Sequence, residues 1–178
     1  MDALNTWKYR HWAFFSLVQA LICCLSRFQL AITNNVIAAA KIELEAASTL
    51  LLAAGAAMQL AGSFDRAAYE TEVRNQMMPP NVRSDNFSGL MSEDHAYLMK
   101  LWKDLKPIFD RLPPELEVEH HNFVMAYREL ATGHHAVCDK FGGGENKSLR
   151  SQRTALDELD KFRQSRLKSI DPQHLHAS

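Results

Sequence analysis

His95, His134 and Cys138 are the residues of this chain whose types and spacing do chemistry together. His134 and Cys138 stand four apart in GHHAVCDKF, so on a helix both side chains leave one face, a turn apart. His95 lies in SEDHAYLMKLW with 38 residues between it and His134, a separation that suits an adjacent antiparallel helix. Two imidazoles and a thiol are a set that can ligate a heme iron and tether the porphyrin through a thioether. The spacing points to a small helical heme protein.

The elements that must position these residues read as helices almost throughout. Residues 4–33 form a largely apolar helix, and Asn34 and Asn35 break it. Residues 36–62 are rich in Ala and Leu, which favours helix, and 64–76 continue as a short polar helix. Two prolines, a glycine and two asparagines make 77–91 a loop. Ser92, Glu93 and Asp94 then supply a cap and an acidic first turn for a helix over 94–110. A helix over 115–141 follows Pro113-Pro114 and stops at Gly142-Gly143-Gly144. Residues 146–168 read as a charged helix with a solvated face, and no strand-length alternation appears. The expectation is an all-α bundle of about four main helices in a single domain over 1–178, with the site region at 87–150.

Composition narrows the function. An apolar fraction of 47% and a charged fraction of 23% are those of an ordinary globule, and a net charge of −1 predicts no pull toward nucleic acid or anionic lipid. Five of the eight histidines fall between 95 and 135. Cys23, Cys24 and Cys138 make no disulfide framework, which fits a reducing cytoplasm. The apolar run 12–25 follows Lys8, Arg10 and His11 like a signal peptide. Ser16 and Gln19 interrupt it, no small-x-small site follows, and it is too short to span a bilayer. It is therefore expected to be a buried helix or a homodimer seam, not a membrane segment.

The pattern His95, 38 residues, His134-x-x-x-Cys138 resembles the His-x(n)-His-x-x-x-Cys heme-attachment motif of the 3-methyl-L-tyrosine hydroxylases of saframycin-type biosynthesis. These belong to the heme-dependent aromatic oxygenases, which include tryptophan 2,3-dioxygenase. The resemblance covers about 87–150. It implies His95 as one axial ligand, His134 as the opposing ligand that leaves, and Cys138 as a single thioether anchor. The implied reaction is ring hydroxylation of a small tyrosine-type amino acid with hydrogen peroxide or dioxygen. His135 or His120 would assist O–O cleavage as acid–base groups. Arg83 and Asn86 are candidates for an amino-acid carboxylate, and Arg83 also for the cofactor. Arg74, Lys140, Lys147 and Arg150 could meet propionates, with Phe87, Trp102, Phe123, Tyr127 and Phe141 as flat apolar walls. The chain is shorter than those hydroxylases, so a second subunit seated on the apolar 12–32 helix would complete the pocket.

Two other classes stay open on the residues alone. One is a non-heme iron or zinc site in a bundle, from Glu43, His95, His120 or His121, and His134. The repeated Glu-x-x-His pair of such sites is absent. The other is a non-catalytic helical interaction module with incidental histidines.

Overall fold

The structure is a computed structural model that describes residues 2–82, 92–145 and 153–172. The all-α expectation holds: no β-strand occurs among the described residues. The helices are α1 (Ala3–Thr33), α2 (Ile37–Ala61), α3 (Arg66–Ala68), α4 (Glu93–Phe109), α5 (Glu117–Lys140) and α6 (Ala155–Ile170). Five of them are long, one more than expected. The polar segment 64–76 is less regular than its sequence suggested: α3 passes into a π turn over Tyr69–Val73 and a 3-10 turn over Arg74–Met77.

Local chemistry explains the ends. The Asp2 carboxylate accepts the Asn5 N–H to start α1, and with no Gly or Pro inside, the helix runs 31 residues. Asn35 makes the turn into α2 with φ 56°, a left-handed conformation that Asn tolerates. Ser92 caps α4 by accepting the His95 N–H, with Glu93 and Asp94 in the positive first turn. Gly142, at φ 80°, ends α5 where the glycine run was expected to stop it. Thr154 and Asp157 close α6 with a reciprocal capping box. The charged helix expected from 146 therefore begins, as described, at Ala155.

Packing follows the short α1–α2 connection, which makes these helices antiparallel neighbours. α2 also lies along α5, while α4 packs on α1 and α6. The core between them holds Leu21, Leu25, Phe28, Leu44, Leu51, Leu105, Phe109 and Phe123, none more than 2% exposed. Each such side chain stabilises the fold by about 1.5–3 kcal/mol. Gly55 sits where a Cβ would lie 3.2 Å from the Leu130 Cα, so its lack of a side chain lets α2 and α5 approach closely.

The apolar run near the N-terminus proves to be part of a core helix, with Val18, Leu21, Leu25 and Phe28 buried. Phe14, Phe15 and Leu17 are only partly covered. The run's shortness is corrected: α1, and α2 as well, are each long and apolar enough to cross a bilayer by length and composition. Half of α2's most apolar window is buried inside the protein, and a third of α1's.

Candidate functional site

Three ring contacts define how α4 and α5 face each other. Trp102 meets Tyr127 edge-on at 5.2 Å, and Phe109 stacks on His120 at 4.8 Å and on Phe123 at 5.9 Å. The helices are thus antiparallel, and a step of two turns along each leads from Phe109 and His120 to Trp102 and Tyr127. The next such step leads to His95 and His134.

A third helix joins that pair. Arg166 of α6 donates from one guanidinium nitrogen to His95 Nε2 and from Nε to the Met99 sulfur at 3.3 Å. Its charge also bears on His134 and on the Tyr127 phenol. With Nε2 accepting, a neutral His95 carries its proton on Nδ1. Burial holds His134 down to about 4, and the positive charges of Arg166, His11 and His135 push the same way. His134 is therefore an uncharged imidazole at neutral pH, with a lone pair to offer a metal.

One turn beyond His134, Cys138 is partly buried, and burial pushes its thiol up to about 11. It stays protonated at neutral pH, close to Tyr69. An aromatic cluster lies at this end: Phe141 stacks on Tyr69 at 4.3 Å and on Phe64 at 5.4 Å, and Trp7 of α1 packs against all three. The Trp7 ring also lies 4.1 Å from His11, whose Nδ1 donates to the Trp7 carbonyl at 2.8 Å. Burial lowers the pKa of His11 as well.

The hydrogen-bond inventory of the site is short of acceptors. Trp102 Nε1 and the Tyr127 hydroxyl are buried without a hydrogen-bond partner. Arg166, half-buried, reaches a neutral ring nitrogen and a thioether but no carboxylate among the described residues. Donors left over in a covered site fit a ligand that brings anionic oxygens of its own. A heme, with iron for the imidazoles and carboxylates for the cation, meets that donor set.

Other expected residues lie elsewhere. His120 is four turns from His134 on α5 and donates from Nε2 to the Ile170 carbonyl while stacking on Phe109. It joins α5 to the end of α6 and is not brought to the site. Phe123 is a core residue. Lys140 caps α2 by donating to the Gly62 carbonyl at 2.8 Å. Glu43 is held by Arg27 at 2.6 and 2.9 Å, far from any histidine cluster, and burial does not bring His121 inward. No group of three or more His, Cys, Asp or Glu among the described residues is placed to hold a metal ion by protein donors alone. Arg83, Asn86, Phe87, Lys147 and Arg150 lie outside the described residues. Two shallow surface recesses, one along α6 and one between α2 and α5, touch none of the histidines.

A sequence model described as SfmD 3-methyl-L-tyrosine peroxygenase matches residues 1–119. The chain belongs to this peroxygenase family. It is also 27% identical over 176 residues to the 3-methyl-L-tyrosine peroxygenase of Streptomyces lavendulae. That alignment takes in 97% of this chain and 48% of the relative, so the chain spans about half the relative's length. No solved structure matches the chain. The family match ends ahead of His134 and Cys138, which fall within the alignment to the relative.

Arg166 and His11 were not anticipated. Arg166 sat in a helix taken for a solvated face because its neighbours alternate in charge. The available signal was its place on the stripe Phe162, Arg166, Ile170, which puts a cation in line with apolar residues.

Proposed function

We propose that this chain is a heme-dependent peroxygenase that hydroxylates the ring of a tyrosine-type amino acid with hydrogen peroxide. The observation that supports the proposal is that Arg166 of α6 donates to His95 Nε2 while its charge bears on His134, with Cys138 one turn beyond His134 on α5. His95 and His134 would hold the iron, His95 through Nε2, and Cys138 would hold the porphyrin by one thioether. Heme, when bound, supplies the iron that activates peroxide.

The chain's own residues do the rest. His134 is uncharged, so it can bind or leave an iron without losing or gaining a proton. His135 follows it in sequence and would take and return the peroxide proton, since His120 is committed to Ile170. Trp7, Tyr69 and Phe141 form an apolar wall that keeps water from the Cys138 end. The same reading places the protein in the cytoplasm, as a homodimer formed on the outer face of α1. There Trp12 is 73% and Tyr9 63% exposed, and a second copy would supply parts of the pocket.

A visible absorption spectrum of the purified protein, followed by acid–acetone extraction, tests the proposal. A Soret band whose pigment stays with the polypeptide in the native protein, and becomes extractable in Cys138→Ala, is the expected result. A colourless protein that takes up no hemin overturns the heme assignment.

A further inference from the structure

We propose that Arg166 is a carboxylate anchor whose guanidinium shares with iron the one lone pair of His95 Nε2. The identity of the cofactor rests on the reading above; the anchor itself rests on the packing of α6 against α4 and α5.

A guanidinium is a donor only. Arg166 spends one N–H on His95 Nε2 and another on the Met99 thioether, both neutral acceptors. It leans over the Phe162 ring at 5.6 Å and forms no ion pair among the described residues. Two buried carboxylates among the described residues do have cations: Glu119 pairs with Lys41 at 2.9 Å, and Asp171 with Arg128 at 3.4 Å. Beside Arg166 lies the Tyr127 hydroxyl, and edge-on to that ring lies Trp102; both are buried, and neither the hydroxyl nor Trp102 Nε1 has an acceptor. A site with three donors, one of them a cation, and no anion is complementary to a carboxylate with its four lone-pair positions.

The His95 contact adds a consequence. Nε2 has one lone pair, and it cannot serve Arg166 and a metal at once. Loading the site must release the guanidinium, and a carboxylate offers it the opposite charge and bidentate geometry that a neutral imidazole lacks. Metal ligation and carboxylate capture are therefore coupled through one side chain. Two carboxylates are available to the proposed reaction, a heme propionate and the amino-acid carboxylate of the substrate.

The experiment compares each acid with its uncharged analogue. The whole cofactor-free protein, Arg166→Met and Arg166→Lys are titrated with hemin and with hemin dimethyl ester, followed by the Soret band. They are then titrated with L-tyrosine and with tyramine, followed by tryptophan fluorescence. Far-UV circular dichroism establishes that each variant is folded. The native protein should prefer one acid over its analogue by about tenfold or more. That preference should collapse in Arg166→Met and return in part in Arg166→Lys. The diester, which gains nothing from the anchor, should bind Arg166→Met faster than the native protein because the guanidinium no longer competes for His95 Nε2.

A collapse in the hemin pair assigns the carboxylate to the cofactor, and a collapse in the tyrosine pair assigns it to the substrate. If no hemin binds to any form, the heme reading fails, and the tyrosine pair alone decides the anchor. Unchanged preferences in folded Arg166→Met for both pairs overturn the proposal. So does a native protein that prefers neither acid.

Discussion

His134 should make the cofactor-free protein acid-labile, and one substitution isolates the effect. Burial beside Arg166, His11 and His135 lowers its pKa from 6.5 to about 4. In the unfolded chain the imidazole regains its ordinary value, so between these limits the unfolded state binds more protons. Stability attributable to His134 is complete above about pH 6.5 and falls as pH drops toward about pH 4. A shift of this size corresponds to about 3 kcal/mol across the window. That is a large fraction of the 5–15 kcal/mol or so typical of a folded domain. Urea unfolding of the cofactor-free protein at a series of pH values, with His134→Gln alongside, reads it directly. Carboxylates held low by cations also lose stability in acid, among them Glu43 on Arg27 and Glu145 on Arg66. They act equally in both proteins and cancel in the difference. The native protein should lose about 2–3 kcal/mol more than His134→Gln over the window. Parallel curves would show that His134 is not desolvated and would refute the site geometry.

Other consequences follow from the packing. A Cβ at Gly62 would lie 2.8 Å from Val137 Cγ1, so Gly62→Ala should cost about 1–3 kcal/mol. Val137→Ala in the same chain should recover part of that, a coupling that a double-mutant cycle measures. Ser92→Ala removes the acceptor for the His95 N–H and should cost about 1 kcal/mol. Faster hydrogen exchange should then appear in the first turn of α4 and spare its end near Phe109. Phe28→Ala empties a fully buried position stacked on Phe109 and should cost about 3–5 kcal/mol by thermal or urea unfolding.

Much of the architecture could be read along the chain because its causes are local. Caps at Ser92, a helix stop at Gly142 and the Ala-rich run of α2 depend on near neighbours, and the ends they imply match the observed ones within a few residues. The segment after α2 was less legible, since a π turn follows from how its neighbours pack. His95, His134 and Cys138 were visible as a set because the four-residue step between the last two is a helix period. Their pairing was not, because a distance along the chain does not fix the register of two helices.

The sequence by itself determined the helices, the breaks between them and the residue types able to bind a metal, since these depend on propensity and short-range spacing. Only the tertiary structure decided which histidines Arg166 reaches. His120 and His134 occupy the same stripe of α5, but contact with Phe109 and Ile170 engages one while the other lies in the field of Arg166. Arg166, too, acquired its place only through folding. A cation on a charged helix looks solvated until that helix docks against α4 and α5 and leaves the charge beside acceptor-poor, buried neighbours.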